Sequence, residues 1–165
     1  MVRRFLFLFL LFTLCIPAFP AAAQGASLLD LTLRDLASPG RISLAQYQGQ
    51  PALMVFFEPE CPWCFRQVRV LNRLLAQCPG QFQPLAVGTN GSRRALKAEY
   101  RRLRPDFPAF QISSALLDTV GTIPATPFTL LIDRHGAPAG WLRGFMPEEK
   151  LTPVLAAYLG VTCGS

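Results

Sequence analysis

Histidine and lysine are scarce in this sequence: of 165 residues one is His and, among 16 basic residues, two are Lys. A single imidazole, His135, excludes a His-rich metal centre and leaves little for imidazole acid–base chemistry. His135 sits in the turn signal Asp133-Arg134-His135-Gly136 and reads as a turn residue rather than a ligand. No internal repeat or low-complexity segment is present, which excludes solenoid arrays and structureless linkers. The long apolar run, Phe5 to Phe19, is shorter than the ~18–20 residues a spanning helix usually needs, and Pro20 closes it. The basic residues Arg93, Arg94, Lys97, Arg101, Arg102 and Arg104 cluster without an interleaved aromatic platform. Their spacing is that of a solvated helix face, so no nucleic-acid partner is expected.

What is there begins with the N-terminus. Arg3 and Arg4, the apolar run and Ala21-Ala22-Ala23 have the layout of a secretory signal peptide cleaved after Ala23. Residues 1–23 are therefore expected to leave, and 24–165 to form one domain, a length that suits a single hydrophobic core. An uncleaved anchor is the alternative. Lipidation at Cys15 is not expected, because Leu14 occupies the position where a small residue is required. Loss of Arg3 and Arg4 lowers the formal charge from +6 to +4. The expected location is the periplasm. Four cysteines remain, Cys61, Cys64, Cys78 and Cys163, and an even count in an exported protein points to disulfides.

Leu29, Leu31 and Leu33 alternate with polar residues across 28–37 and predict a short strand, with Ile42 to Leu44 pairing back after Ser38-Pro39-Gly40. Ala52 to Phe57 is a continuous apolar run and predicts a strand buried on both faces. From Cys64 the period becomes helical, with Val68, Leu71, Leu74 and Leu75 on one side and Arg66, Arg69 and Arg73 on the other, up to Cys78-Pro79-Gly80. Phe82 to Val87 predicts a strand, and Ser92 caps a helix to about Leu103. Phe110 to Ile112 reads as a strand and Ser113 to Val120 as a short helix. Phe128 to Ile132 and Ala139 to Leu142 form a strand pair. Pro147 opens a last helix with the stripe Leu151, Val154, Leu155, Tyr158 and Leu159.

The chemistry lies in Cys61-Pro62-Trp63-Cys64. A pair placed between a strand end and a helix start puts Cys61 at the helix N-terminus, where free N–H groups and the dipole favour a thiolate. Cys64, one turn in, is close enough to resolve a mixed disulfide. Two other readings stay open here: half of a zinc site, which lacks further ligands with local spacing, and a purely structural disulfide. Glu58 and Glu60 precede the pair; a carboxylate there would relay protons to or from Cys64, or raise the thiol pKa by like-charge repulsion.

The apolar strand leading into the Cys pair, Thr126-Pro127 opening Phe128 to Asp133, and the Gly-ended hairpin before the last helix resemble, in that order, the thioredoxin-like superfamily. The stretch Leu31 to Gly49 is similar to the extra hairpin of its exported branch, which includes TlpA, ResA and the cytochrome c maturation thioredoxins. The resemblance implies a three-layer α/β/α fold with an N-terminal β-hairpin extension. It implies a thiol–disulfide oxidoreductase without a cofactor, acting as a monomer on protein clients, and a reductase recharged by a membrane electron donor. An oxidase or isomerase, or a copper-binding module using the Cys pair as soft ligands, are the alternatives. It further implies that Pro127 is cis and faces the pair, that the Thr126 backbone docks an extended partner, and that Trp63 lies exposed beside the sulfurs. In this fold the ends of the helix after the Cys pair and of the last helix are neighbours, which would let Cys78 and Cys163 form a structural disulfide. The sequence departs from the family at two positions: Val55 stands where cytosolic thioredoxins bury an acid, and Phe128 where the maturation thioredoxins carry one. Sco-type copper proteins use a three-residue spacer, and peroxiredoxins a Thr or Ser where Glu58 stands, so neither fits.

Overall fold

A computed structural model describes residues 27–163. The expected leader of residues 1–23, with Cys15 and the cleavage after Ala23, lies outside the described residues. Ser27 opens a 3-10 turn, Leu28–Asp30, by accepting the Leu29 N–H while Asp30 accepts the Ser27 N–H. This reciprocal cap is why the strand expected over 28–37 shrinks to β1, Thr32–Asp35: side-chain oxygens supply a local alternative to the ladder. β2, Arg41–Ser43, pairs back on it, and a second 3-10 turn, Leu44–Tyr47, follows. Then come β3, Ala52–Phe57; α1, Pro62–Gln77; β4, Gln83–Gly88; α2, Arg93–Leu103; β5, Ala109–Gln111; α3, Ser114–Val120; β6, Phe128–Ile132; β7, Pro138–Arg143; and α4, Glu148–Leu159.

The seven strands lie in the order β2-β1-β5-β4-β3-β6-β7, with β3, β4 and β5 parallel and the remaining pairings antiparallel. All six residues of β3 are buried, as its unbroken apolar run requires. One core, built from Val55, Val68, Leu71, Leu74, Leu96, Leu103, Leu151 and Leu155, seats α1, α2 and α4 on one face of the sheet. A second core, from Leu28, Leu29, Leu44, Met54, Phe110 and Leu116, seats α3 and the N-terminal turns on the other. The α/β/α layering is thus present.

The ends of α1 and α4 refine the sequence expectations. α1 begins at Pro62, two residues before the apolar stripe becomes readable and with Cys61 at its N-terminus as expected, because Pro at the first helical position has no N–H to lose and a preset φ. In α4 the buried stripe is Leu151, Leu155 and Leu159, while Tyr158 is exposed and Pro147 is the N-cap rather than a helical residue. No helix among the described residues is long and apolar enough to cross a membrane.

Candidate active site

β3 ends at Phe57, and four residues later Cys61 caps α1 with extended backbone (φ −87°, ψ 103°). Its Sγ accepts the Cys64 N–H at 3.1 Å, so the sulfur lies on the free amide groups of the helix start. Cys61 and Cys64 are joined in a disulfide, with Cα atoms 5.2 Å apart. The two sulfur-bearing residues are not equivalent. Cys61 keeps 7% of its surface open, whereas Cys64 is fully buried.

β6 runs antiparallel to β3 with Phe128 opposite Phe56, which brings Thr126-Pro127 to the strand end that carries the Cys pair. The Thr126–Pro127 bond is cis. Trp63, Thr126, Pro127, Gly144 and Phe145 line an open hollow of about 360 Å³. Trp63 is 50% exposed, leans on Phe145 with ring centroids 5.7 Å apart, and carries the Arg66 guanidinium 4.6 Å above its own ring. The segment bearing Phe145 is fixed from α1: the buried Gln67 accepts the Met146 N–H at 2.7 Å.

Glu58 is held by two neighbouring side chains. Its carboxylate accepts the Thr126 hydroxyl at 2.6 Å and the Asn90 amide at 3.0 Å. The Thr126 bond first, then that from Asn90, hold its pKa below the ordinary Glu range against a smaller desolvation effect. At neutral pH Glu58 is a fixed carboxylate that ties the Cys loop to the Pro127 loop. Glu60 is exposed, with φ of 61°.

Two residues of the site escaped the sequence reading. Arg102 belongs by its spacing to the solvated face of α2, yet its Nη2 donates to the Cys61 carbonyl at 3.0 Å. Glu99, 5% exposed, accepts Arg102 Nε at 2.9 Å and the Glu60 backbone N–H at 3.3 Å. Arg93 leaves the solvated face as well, donating to the Asp35 and Ser38 carbonyls. The available signal was the Glu–Arg pair at three-residue spacing; which end of the sheet it met depends on the β3-β4-β5 order.

Elsewhere, Cys78 caps the C-terminus of α1 and is bonded to Cys163 beyond α4, with Cα atoms 4.8 Å apart. His135 lies exposed in its turn, donating its backbone N–H to Asp133. Among the described residues no three His, Cys, Asp or Glu side chains gather where they could hold a metal ion.

No family model matches the chain, and no curated protein matches it. Solved structures do. A thiol:disulfide interchange protein of the thioredoxin family from Chlorobium tepidum superposes with a TM-score of 0.69 at 17% identity, covering 85% of this chain and 100% of that one. A secreted Mycobacterium tuberculosis disulfide oxidoreductase, homologous to E. coli DsbE, gives 0.65 at 19% identity over 79% and 97%. An exposed lipoprotein thioredoxin of Streptococcus pneumoniae gives 0.67 at 21% over 78% and 98%. The likeness covers nearly all of each neighbour, and this chain has the thioredoxin-like fold.

Proposed function

We propose that the protein is an exported thiol–disulfide oxidoreductase in which Cys61 attacks and Cys64 resolves. The observation that carries this reading is a bonded Cys pair at a helix N-terminus: Cys61, the less buried of the two, with its Sγ accepting the Cys64 N–H, and Cys64, fully buried a single turn away. The Cys61 thiolate attacks one sulfur of a partner disulfide, forming a mixed disulfide and releasing the partner's other sulfur as a thiolate. The Cys64 thiolate then attacks the Cys61 sulfur, closes the intramolecular bond and releases the second partner sulfur. The partner gains two electrons and, once its thiolates are protonated, two protons. No cofactor is called for, because both electrons travel on cysteine sulfur.

The names of the structural neighbours support thiol–disulfide exchange, and the resemblance to exported reductases supports the reducing direction, protein clients and a membrane electron donor. The leader-like residues 1–23 support a periplasmic location. Thr126 and Pro127, beside Trp63 and Phe145, are assigned to seating the partner chain in the hollow they line. The structural role goes to Cys78–Cys163. The protein acts as a monomer.

Trapping tests the assignment of roles. Reduced Cys64→Ser protein, mixed with a protein disulfide or oxidised glutathione, is expected to accumulate a mixed disulfide at Cys61 that survives acid quench and is read by intact mass. Cys61→Ser should accumulate none on the same timescale. Equal trapping by both variants would overturn the roles, and none by either would overturn the activity.

A further inference from the structure

We propose that Arg102, held in place by Glu99, is a positioning residue that stabilises the Cys61 thiolate from the α2 side. The inference rests on the redox reading of Cys61 and names a group outside the Cys motif that tunes it.

The geometry is that of a clamp on the turn before α1. The Arg102 guanidinium donates to the Cys61 carbonyl at 3.0 Å, so a fixed cation stands within one residue's span of the attacking sulfur. Glu99 grips the guanidinium through Nε at 2.9 Å and, with the same oxygen, accepts the Glu60 N–H at 3.3 Å. Glu99 is buried, and a buried carboxylate persists as a charge only when paired, so the acid fixes the base and the base neutralises the acid. The pairing is mutual, since the bonds from Glu99 also hold the Arg102 proton more tightly. Phe65 closes the arrangement beneath, with the Arg102 guanidinium 5.6 Å and that of Arg69 5.1 Å from its ring centre.

The other charges around Cys61 do not duplicate this one. On its own loop stand Glu60, exposed, and Glu58, committed to Thr126 and Asn90. On α1, Arg66 is spent over Trp63. The Thr126, Pro127, Gly144 and Phe145 side of the hollow has no ionisable group. α2 therefore supplies both charges that are anchored directly to the Cys61 turn, one of each sign, and they must act in opposite senses. A nearby cation favours the thiolate and a nearby carboxylate disfavours it. A clamp that worked only by shape would respond alike to the loss of either partner.

The measurement is the Cys61 pKa, taken from the pH dependence of its alkylation rate in the reduced Cys64→Ser protein with Cys78–Cys163 intact. Against that parent, Arg102→Met is expected to raise the pKa, reducing the thiolate fraction several-fold, on the order of three- to tenfold given that 45% of the Arg102 side chain is open to solvent screening. Glu99→Gln should lower it, and Arg102→Lys should fall between parent and Arg102→Met. The pair E99Q/R102M compared with E99Q isolates the Arg charge with no buried carboxylate left alone, and so serves even where Arg102→Met folds poorly. Opposite shifts in the two single variants support the proposal, as does a higher pKa in the double variant than in E99Q. No rise on loss of Arg102, or shifts of one sign on loss of either partner, overturns it. Because the alkylation rate needs no turnover, a failure of the clamp is distinct from a failure of the redox reading, which would show as a Cys61–Cys64 pair inert to glutathione.

Discussion

At the scale of single residues, Glu58 joins the two loops the chemistry needs. Its acceptance of the Thr126 hydroxyl and the Asn90 amide is made by the ionised form, and its folded pKa is depressed. The stabilisation is therefore complete above the ordinary Glu pKa of about 4.3 and fades as pH falls through that value and below it. Glu58→Ala is expected to lower stability by about 1 kcal/mol at pH 7, with the difference from the parent shrinking in thermal melts toward pH 3. Exchange with a peptide disulfide should slow more than exchange with glutathione, since only the peptide spans the Thr126 loop. A constant difference at every pH, or equal slowing for both substrates, would contradict this role. Cys61 and Cys64 were legible in the sequence because their spacing and the strand before them fix the geometry. Glu58 was visible as a candidate but not in its role, which depends on a loop 68 residues away.

Among the elements, legibility followed how locally each is determined. β3 and β6 match their apolar runs, and α2 starts after Ser92 because that hydroxyl accepts the Ala95 N–H. α2 ends at Leu103, capped by Arg104, whose left-handed backbone (φ 50°) precedes Pro105. The N-terminal stretch was misread because alternation alone does not reveal a capping box. Burial of a helix face is a tertiary outcome, so Tyr158 looked like core and is not. The register of β6 on β3, and not any local motif, sets Thr126-Pro127 at the end of the sheet that bears the Cys pair. α1 does several jobs at once: its first turn seats Cys61, Gln67 fixes the Phe145 segment, and Arg73 and Gln77 bind Glu148 at the start of α4. Glu148 there also complements the positive end of α4.

Across the whole molecule, the Cys78–Cys163 bond ties the end of α1 to the chain beyond α4 over a separation of 85 residues. The layering that sets α1 and α4 on one face makes that closure possible, and it was the resemblance to the thioredoxin-like fold, not the sequence pattern by itself, that implied it. In the chain-entropy account, closing so long a loop stabilises by about 4 kcal/mol. Cys78→Ser with Cys163→Ser should lower Tm by on the order of 10 °C while leaving the Cys61–Cys64 equilibrium within about twofold. Alkylation of the unreduced protein that labels both thiols would contradict the bridge. What the sequence could not disclose is how the layers bring α2 against the Cys loop, and with it the pair Glu99 and Arg102.

Whether Cys61–Cys64 works as a reversible, reducing two-electron centre is read from its equilibrium with a glutathione redox series. A single transition is expected that involves this pair alone, follows a two-electron dependence and has a potential near the thioredoxin range of about −270 mV. A potential close to −120 mV would contradict the reducing direction. A pair that never exchanges with glutathione would contradict the redox centre itself.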